Sequence, residues 1–426
     1  MITIKNKYLW MVLIVLLPLL PLHAQHRIAR KAKAKAATEQ KAKTLNQIFK
    51  VNDYWQKNHT PEATAFWNVA AYHTGNMEVC KWLTQELSSN KKLSAKRRKL
   101  LTDKLNAYLA YSLRWAEHNQ WKGATEADTA KWLYKKYGED QQHVLFGDWQ
   151  ICFQTYIDLY NMFQVQQGSK GQTLTKMEIS SPDLMTARAK EVMGYVVSHS
   201  AHDYWWWADA LYMVMPVMMK MYKLTGDVRY LDKLYDNICY SDSIMLDKET
   251  GLYFRDGKYI YPMHKTNSGK KDFWARGDGW VLAGLAKVLQ DMPKSYRHYD
   301  FFLKKYQRLA LAVAKIQQPE GYWTRSMMDP QQAPGPETSG TAFFTYGMEW
   351  GVNHGLLNAK TFKPVIRRAQ NYLTTVALQS DGSVGYVQPI GERAIPGQHV
   401  DKDSQADFGV GAFLLAATES LRRQNR

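Results

Sequence analysis

Apolar residues recur at helical spacing in nearly every segment of this chain beyond Lys43. Arg97–His118, Asp148–Gln164, Asp183–Val197, Ala208–Leu224, Tyr230–Ile244, Phe362–Ala377 and Gly409–Leu421 all carry the pattern. Strand-like alternation is confined to LYFRDGKYIY at 252–261, which reads as a short strand or hairpin. The loops share a theme. LDKETGLYF, QQPEGYW and LQSDGSVGY each place an acid, then Gly, then an aromatic or small residue, and Gly251, Gly321 and Gly382 lie 70 and 61 residues apart. Such a unit has the size of two helices with their loops. About six fit the chain, which predicts an all-α fold: an (α/α)6 barrel of six helical hairpins. An open helical solenoid is the alternative, and the divergence of the repeats disfavours it. No linker divides a second domain from residues 45–426.

With 45% hydrophobic residues in 426, the chain can bury a large core. Its 15 Trp and 26 Tyr suit a concave surface that stacks on sugar rings, and suit an aromatic core equally. Lys5 and Lys7, the short apolar run Leu9–Leu20 and Leu22-His23-Ala24 predict a signal peptide over residues 1–24, hence a periplasmic or secreted protein with no stable membrane anchor after cleavage. Export makes nucleic acid an improbable partner. The formal charge of +17 is concentrated in Arg27–Lys43 and Lys91–Lys104. Residues 25–44 are Ala/Lys-rich and read as a basic, flexible lead-in. A basic surface serves solubility and also attracts acidic polysaccharide. Cys80, Cys152 and Cys239 are widely spaced and read as core thiols; neither they nor the scattered histidines form a metal-ligand pattern, so no metal and no cofactor is expected.

The chemistry concentrates in HDYWWWADALYM, residues 202–213. If a helix begins near Asp203, Trp205 and Trp206 lie four and three residues before Asp209, on its face. A carboxyl walled by aromatics is poorly solvated, its pKa rises, and it becomes a proton donor near neutral pH. The competing role is a buried Asp paired with a core Arg or capping a loop. Asp148, at the head of an apolar helix in FGDWQICFQ, is a second candidate acid or simply a helix cap. Arg276 and Trp280 in FWARGDGW stand one turn apart; Arg grips a carboxylate, Trp offers a stacking plane, and the flanking glycines permit close approach.

WWWADALYM, FWARGDGWVLAGLAKVL, PETSGTAFFTYGMEWGVNHGLL, DGSVGYVQPIG and FGVGAFLLA, in that order, resemble the unsaturated rhamnogalacturonyl hydrolases of glycoside hydrolase family 105, related to the unsaturated glucuronyl hydrolases of family 88. The likeness runs from about Asp148 to Leu421. It implies a six-hairpin barrel that needs no metal and acts on lyase-generated oligosaccharides whose non-reducing uronate carries a C4=C5 bond. It implies that Asp209 is proton donor and base, that Asp148 is a second active-site acid, and that Arg276 and Trp280 line the uronate site. Three departures stand out: Asp278 where many members have Asn, Gly147-Asp148 or Asp148-Trp149 where many have a pair of acids, and Arg255 where some have His. An inverting glycosidase with Asp148 as base and Asp209 as acid, and a non-enzymatic oligosaccharide-binding protein, are the competing functions.

Overall fold

In the computed structural model, residues 22–167 and 181–424 are described. Among these residues six inner elements, two of them broken into a pair of helices, close a ring, and six outer helices surround it. The outer set is α1 (Leu22–Asn58), α3 (Ala95–His118), α6 (Pro182–Ser198), α9 (Arg229–Met245), α11 (Tyr299–Ala314) and α13 (Ala359–Tyr372). The inner set is α2 (Trp67–Ser89), α4 and α5 (Gly147–Gln150 and Cys152–Gln167), α7 and α8 (Ala210–Met213 and Met215–Thr225), α10 (Ala275–Asp291), α12 (Thr338–Asn353) and α14 (Asp407–Gln424). Each inner element packs on its neighbours in chain order, and α14 packs back on α2. This is the (α/α)6 barrel, all-helical among the described residues.

Inner helices α10 and α12 are buried on every side, which is why their sequences are apolar nearly all round. Outer helices such as α13 bury one stripe only. Backbones meet where the ring closes: a Cβ on Gly75 would lie 2.3 Å from the carbonyl oxygen of Gly411, so α2 and α14 touch without side chains between them. Caps set the ends. Ser94 accepts from the Arg97 amide at the start of α3, and Gly226 ends α8 at φ 74°.

The three repeated loops are the returns from an outer helix to the next inner one. Gly251, Gly321 and Gly382 take φ of 80°, 101° and 110°, which explains why each loop carries glycine there. Other expectations need correction. LYFRDGKYIY forms only isolated bridges, Leu246 with Tyr253 and Trp207 with Asp256, and a short 3-10 turn at Gly257–Tyr259. Residues 25–44 belong to α1 rather than to a loose lead-in, because Ala and Lys are strong helix formers and the helix docks from Lys41, which pairs with Glu86. The expected leader lies almost wholly outside the described residues. Cys80 and Cys152 are buried, and Cys239 is half-buried.

Candidate active site

All six inner elements run the same way, so their N-termini gather at one end with the longer loops. The helix dipoles there present their positive ends together, a setting suited to an anionic ligand. A cavity of about 260 Å³ opens at this end, lined by Trp67, Tyr137, Asp148, Trp206, Trp207, Asp209, Met213, Arg255, Lys258 and Ile390–Gly391–Glu392.

Asp209 sits in a turn immediately before α7. Trp207 pairs by a backbone bridge with Asp256, and the Ala208 amide donates to the Arg255 carbonyl at 2.7 Å. This short pairing lays Arg255 beside Asp209, with Nε 3.4 Å from Oδ2. The Arg255 guanidinium also donates to Asp256 at 2.7 Å and reaches Glu392 at 3.3 Å. Glu392 in turn accepts from Lys258 at 2.7 Å and Tyr259 at 2.5 Å. Arg255 and Lys258 therefore form a cationic corner that they share with three carboxylates, the buried Asp209 and Asp256 and the half-buried Glu392.

Asp148 occupies the first turn of α4, but its carboxylate caps nothing: the N-cap is Phe146, and Oδ1 is buried with no hydrogen-bond partner. Burial pushes the Asp148 carboxyl well above the ordinary carboxylate range; the charge of Asp209 adds to the rise and Arg255 opposes it. Burial raises Asp209 too, but Arg255 and then Arg276 pull it back. Phe146, Trp206 and Trp207 form one aromatic wall, with Trp207 stacked on Phe146 at 4.5 Å between centroids and tilted against Trp206 at 4.6 Å.

Three residues singled out from the sequence lie elsewhere. Trp205 is in the core, its carbonyl held by Ser241. The helix starts at Ala210 and not near Asp203, so Trp205 does not share a face with Asp209; Trp206 and Trp207 wall the pocket instead. Trp280 is fully buried among Trp67, Tyr212 and Phe343. Arg276 is also fully buried. It lies between the rings of Trp274 and Phe408 at 4.4 and 4.5 Å, donates to the carbonyls of Gln388 and Pro389 at 2.7 and 2.8 Å, and stands 3.9 Å from Glu337. It anchors the loop that carries Ile390–Glu392 to the pocket. The glycine of its motif packs helices: a Cβ on Gly279 would come within 3.2 Å of the Gly340 Cα. Glu337 caps α12 through the amides of Ser339 and Gly340. Asp278 is buried and accepts from the Tyr253 amide at 2.8 Å, far from solvent.

Tyr137, Trp207, Arg255, Lys258 and Glu392 were not among the expected site residues. The one signal for any of them was Arg255 standing where relatives have His. Among the described residues no group of His, Cys, Asp and Glu could hold a metal ion, and no helix is long and apolar enough to cross a membrane.

Two buried carboxyls and a guanidinium line an aromatic cavity at the funnel end of a six-hairpin barrel, an arrangement suited to acid–base chemistry on a sugar. The sequence matches Glycosyl Hydrolase Family 88 over residues 29–424. The chain belongs to that family. A family 88 glycosyl hydrolase from Bacteroides vulgatus is 51% identical, with 90% of this chain and 99% of that chain covered and a TM-score of 0.78. A solved polysaccharide lyase is 55% identical, with 90% and 98% covered and a TM-score of 0.77. An unsaturated 3S-rhamnoglycuronyl hydrolase of Formosa agariphila is 36% identical over 222 residues, 51% of this chain and 58% of that relative's length.

Proposed function

We propose that this enzyme removes a 4,5-unsaturated uronic acid from the non-reducing end of lyase-generated oligosaccharides, of rhamnose-containing acidic polysaccharides such as rhamnogalacturonan or pectin, by hydrating the C4=C5 bond. The observation that carries it is Asp209 beside Arg255 in an aromatic-walled pocket, with Asp148 as a second buried acid. Arg255 and Lys258 meet the uronate carboxylate. As Arg255 turns to the substrate, Asp209 loses its nearest counter-charge, its pKa climbs, and it holds the proton the reaction needs. Asp209 gives that proton to C4, leaving a cation shared by C5 and the ring oxygen. Water adds at C5 and returns a proton to the Asp209 carboxylate, with Asp148 orienting the water. The C5 hemiketal opens, and the resulting hemiacetal at C1 releases the leaving sugar. One carboxyl acts as acid and then as base, so no covalent intermediate is needed.

Elimination is a second reading, favoured by the 55% identical lyase. In it the same cationic corner would neutralise the carboxylate of an intact uronate while a base removes the C5 proton and the C4 substituent leaves, creating the double bond that the first reading consumes. Ultraviolet absorbance of the unsaturated uronate decides by sign. Hydration of a lyase-generated disaccharide makes it fall; elimination on a saturated oligosaccharide makes it rise. No fall on any unsaturated disaccharide overturns the primary reading.

Export to the periplasm or beyond belongs to the same proposal, resting on the basic, apolar and small-residue order of residues 1–24. A mature protein whose mass begins at Met1 overturns it.

A further inference from the structure

A second cavity adjoins the first. It measures about 680 Å³, more than twice the about 260 Å³ of the catalytic pocket, and the two share Trp206 and Lys258 as walls. Its lining is that of a sugar site: Tyr134, Trp206 and Tyr240 offer aromatic surface, Ile244 and Ile260 add apolar surface, and Asp203 supplies a carboxylate. Tyr134 is fixed from two sides. Its hydroxyl donates to Asp203 at 2.7 Å, and its carbonyl accepts from the Trp206 indole at 2.9 Å. Trp206 is therefore held as a partition, one side facing Asp209's pocket and the other facing the larger cavity. Two charge pairs border it, Arg255 with Asp256 and Lys258 with Glu392. Asp203 keeps an oxygen for a ring hydroxyl, and Lys135 on the rim forms no ion pair among the described residues.

We propose that this cavity receives the leaving side of the substrate and is sized for more than one sugar ring, so that the enzyme prefers unsaturated tri- and tetrasaccharides to disaccharides. The inference rests on the hydration reading for its direction, since only the terminal unsaturated ring enters the smaller pocket. Trp206 then touches the rings on both sides of the bond that breaks, while Tyr240 and Asp203 touch only the leaving oligosaccharide. These two set chain-length preference without entering the chemistry.

The test uses the full chain and a pair of variants, Tyr240→Ala, which removes the outer platform, and Ser243→Trp, which fills the cavity from its exposed edge. Steady-state rates are compared on a methyl glycoside of the unsaturated uronate, which has no leaving sugar ring, and on an unsaturated tetrasaccharide. Wild type should favour the tetrasaccharide in kcat/KM by about tenfold or more, equivalent to about 1.4 kcal/mol. Both variants should lose most of that preference through KM while staying within about twofold of wild type on the methyl glycoside. Equal losses on both substrates, or none on either, overturn the proposal. Calorimetric titration with the saturated trisaccharide product separates it from the hydration reading: binding by wild type that Tyr240→Ala abolishes supports the cavity even if no unsaturated substrate turns over, and absence of binding together with no chain-length preference ends it.

Discussion

Replacing Arg276 by Ala tests the structure against the sequence most sharply. The FWARGDGW motif suggests an arginine that grips substrate; the fold shows one with no exposed surface, donating to two carbonyls of the pocket loop and facing a buried carboxylate 3.9 Å away. Burial lowers its own pKa to about 10, so it stays charged at neutral pH. The alanine variant strands the Gln388 and Pro389 carbonyls, leaves Glu337 without its nearest cation, and opens a gap between Trp274 and Phe408. Breaking a buried pair from one side costs about 3–5 kcal/mol. Glu337 keeps its bonds to Ser339, Gly340 and Gln388, which argues for the lower half of that range. Denaturant unfolding should show this loss. KM should rise as well, because the loop delivers Ile390–Glu392 to the cavity. Arg276→Lys should recover part of the stability, since the charge returns but the two-pronged grip does not. If Arg276→Ala unfolds within about 1 kcal/mol of wild type while KM rises at least tenfold, the argument is refuted and the side chain meets substrate directly.

Other outcomes follow from the same geometry. Asp209→Asn should leave the fold intact and lower kcat by at least the about 10²–10⁴-fold typical of one acid–base group, measured by loss of ultraviolet absorbance; a tenth of wild-type activity remaining would make Asp209 structural. Wild-type rate should fall as pH rises through the elevated Asp209 pKa, because the protonated form is the donor, and Arg255→Ala should carry that limb to higher pH while raising KM. Asp148→Asn should make the protein more stable at neutral pH, because a carboxyl whose folded pKa lies above its unfolded value of about 3.9 loses stability as pH rises from the unfolded value to the folded one; the gain should vanish below about pH 4, and a gain that persists there would point to packing instead. Gly75→Ala should fail to fold or melt far below wild type, since its Cβ meets the Gly411 carbonyl at 2.3 Å; a normal melting curve would contradict the backbone contact.

The hairpin count was legible because loop chemistry repeats: a positive-φ glycine is needed wherever an outer helix turns back, and the sequence shows it at 251, 321 and 382. Asp148 and Asp209 were legible because an acid in an apolar run is costly without a purpose. What escaped was set by contacts distant in sequence. Arg255 is 46 residues from Asp209 and reaches it only because Trp207 bridges to Asp256. Residues 201–206 form no helix and Trp207 stands in that bridge, so the helical spacing assigned to Trp205 never forms. Arg276 misled because a motif can be fixed by the loop it anchors as firmly as by a ligand it binds. The helical character of α1 lay in Ala and Lys propensity, without the amphipathic period that marks the other helices.

The meeting of α14 with α2 has a kinetic meaning. Trp67 comes from the first hairpin, Asp209 from the third and Glu392 from the stretch leading to the last inner helix, and all three line one cavity. An arc of four or five hairpins can bury much of the core yet presents no complete pocket, since opposite walls wait on the final seam. In a refolding experiment, helical signal should therefore return ahead of turnover, and the lag between them measures how long the ring takes to shut.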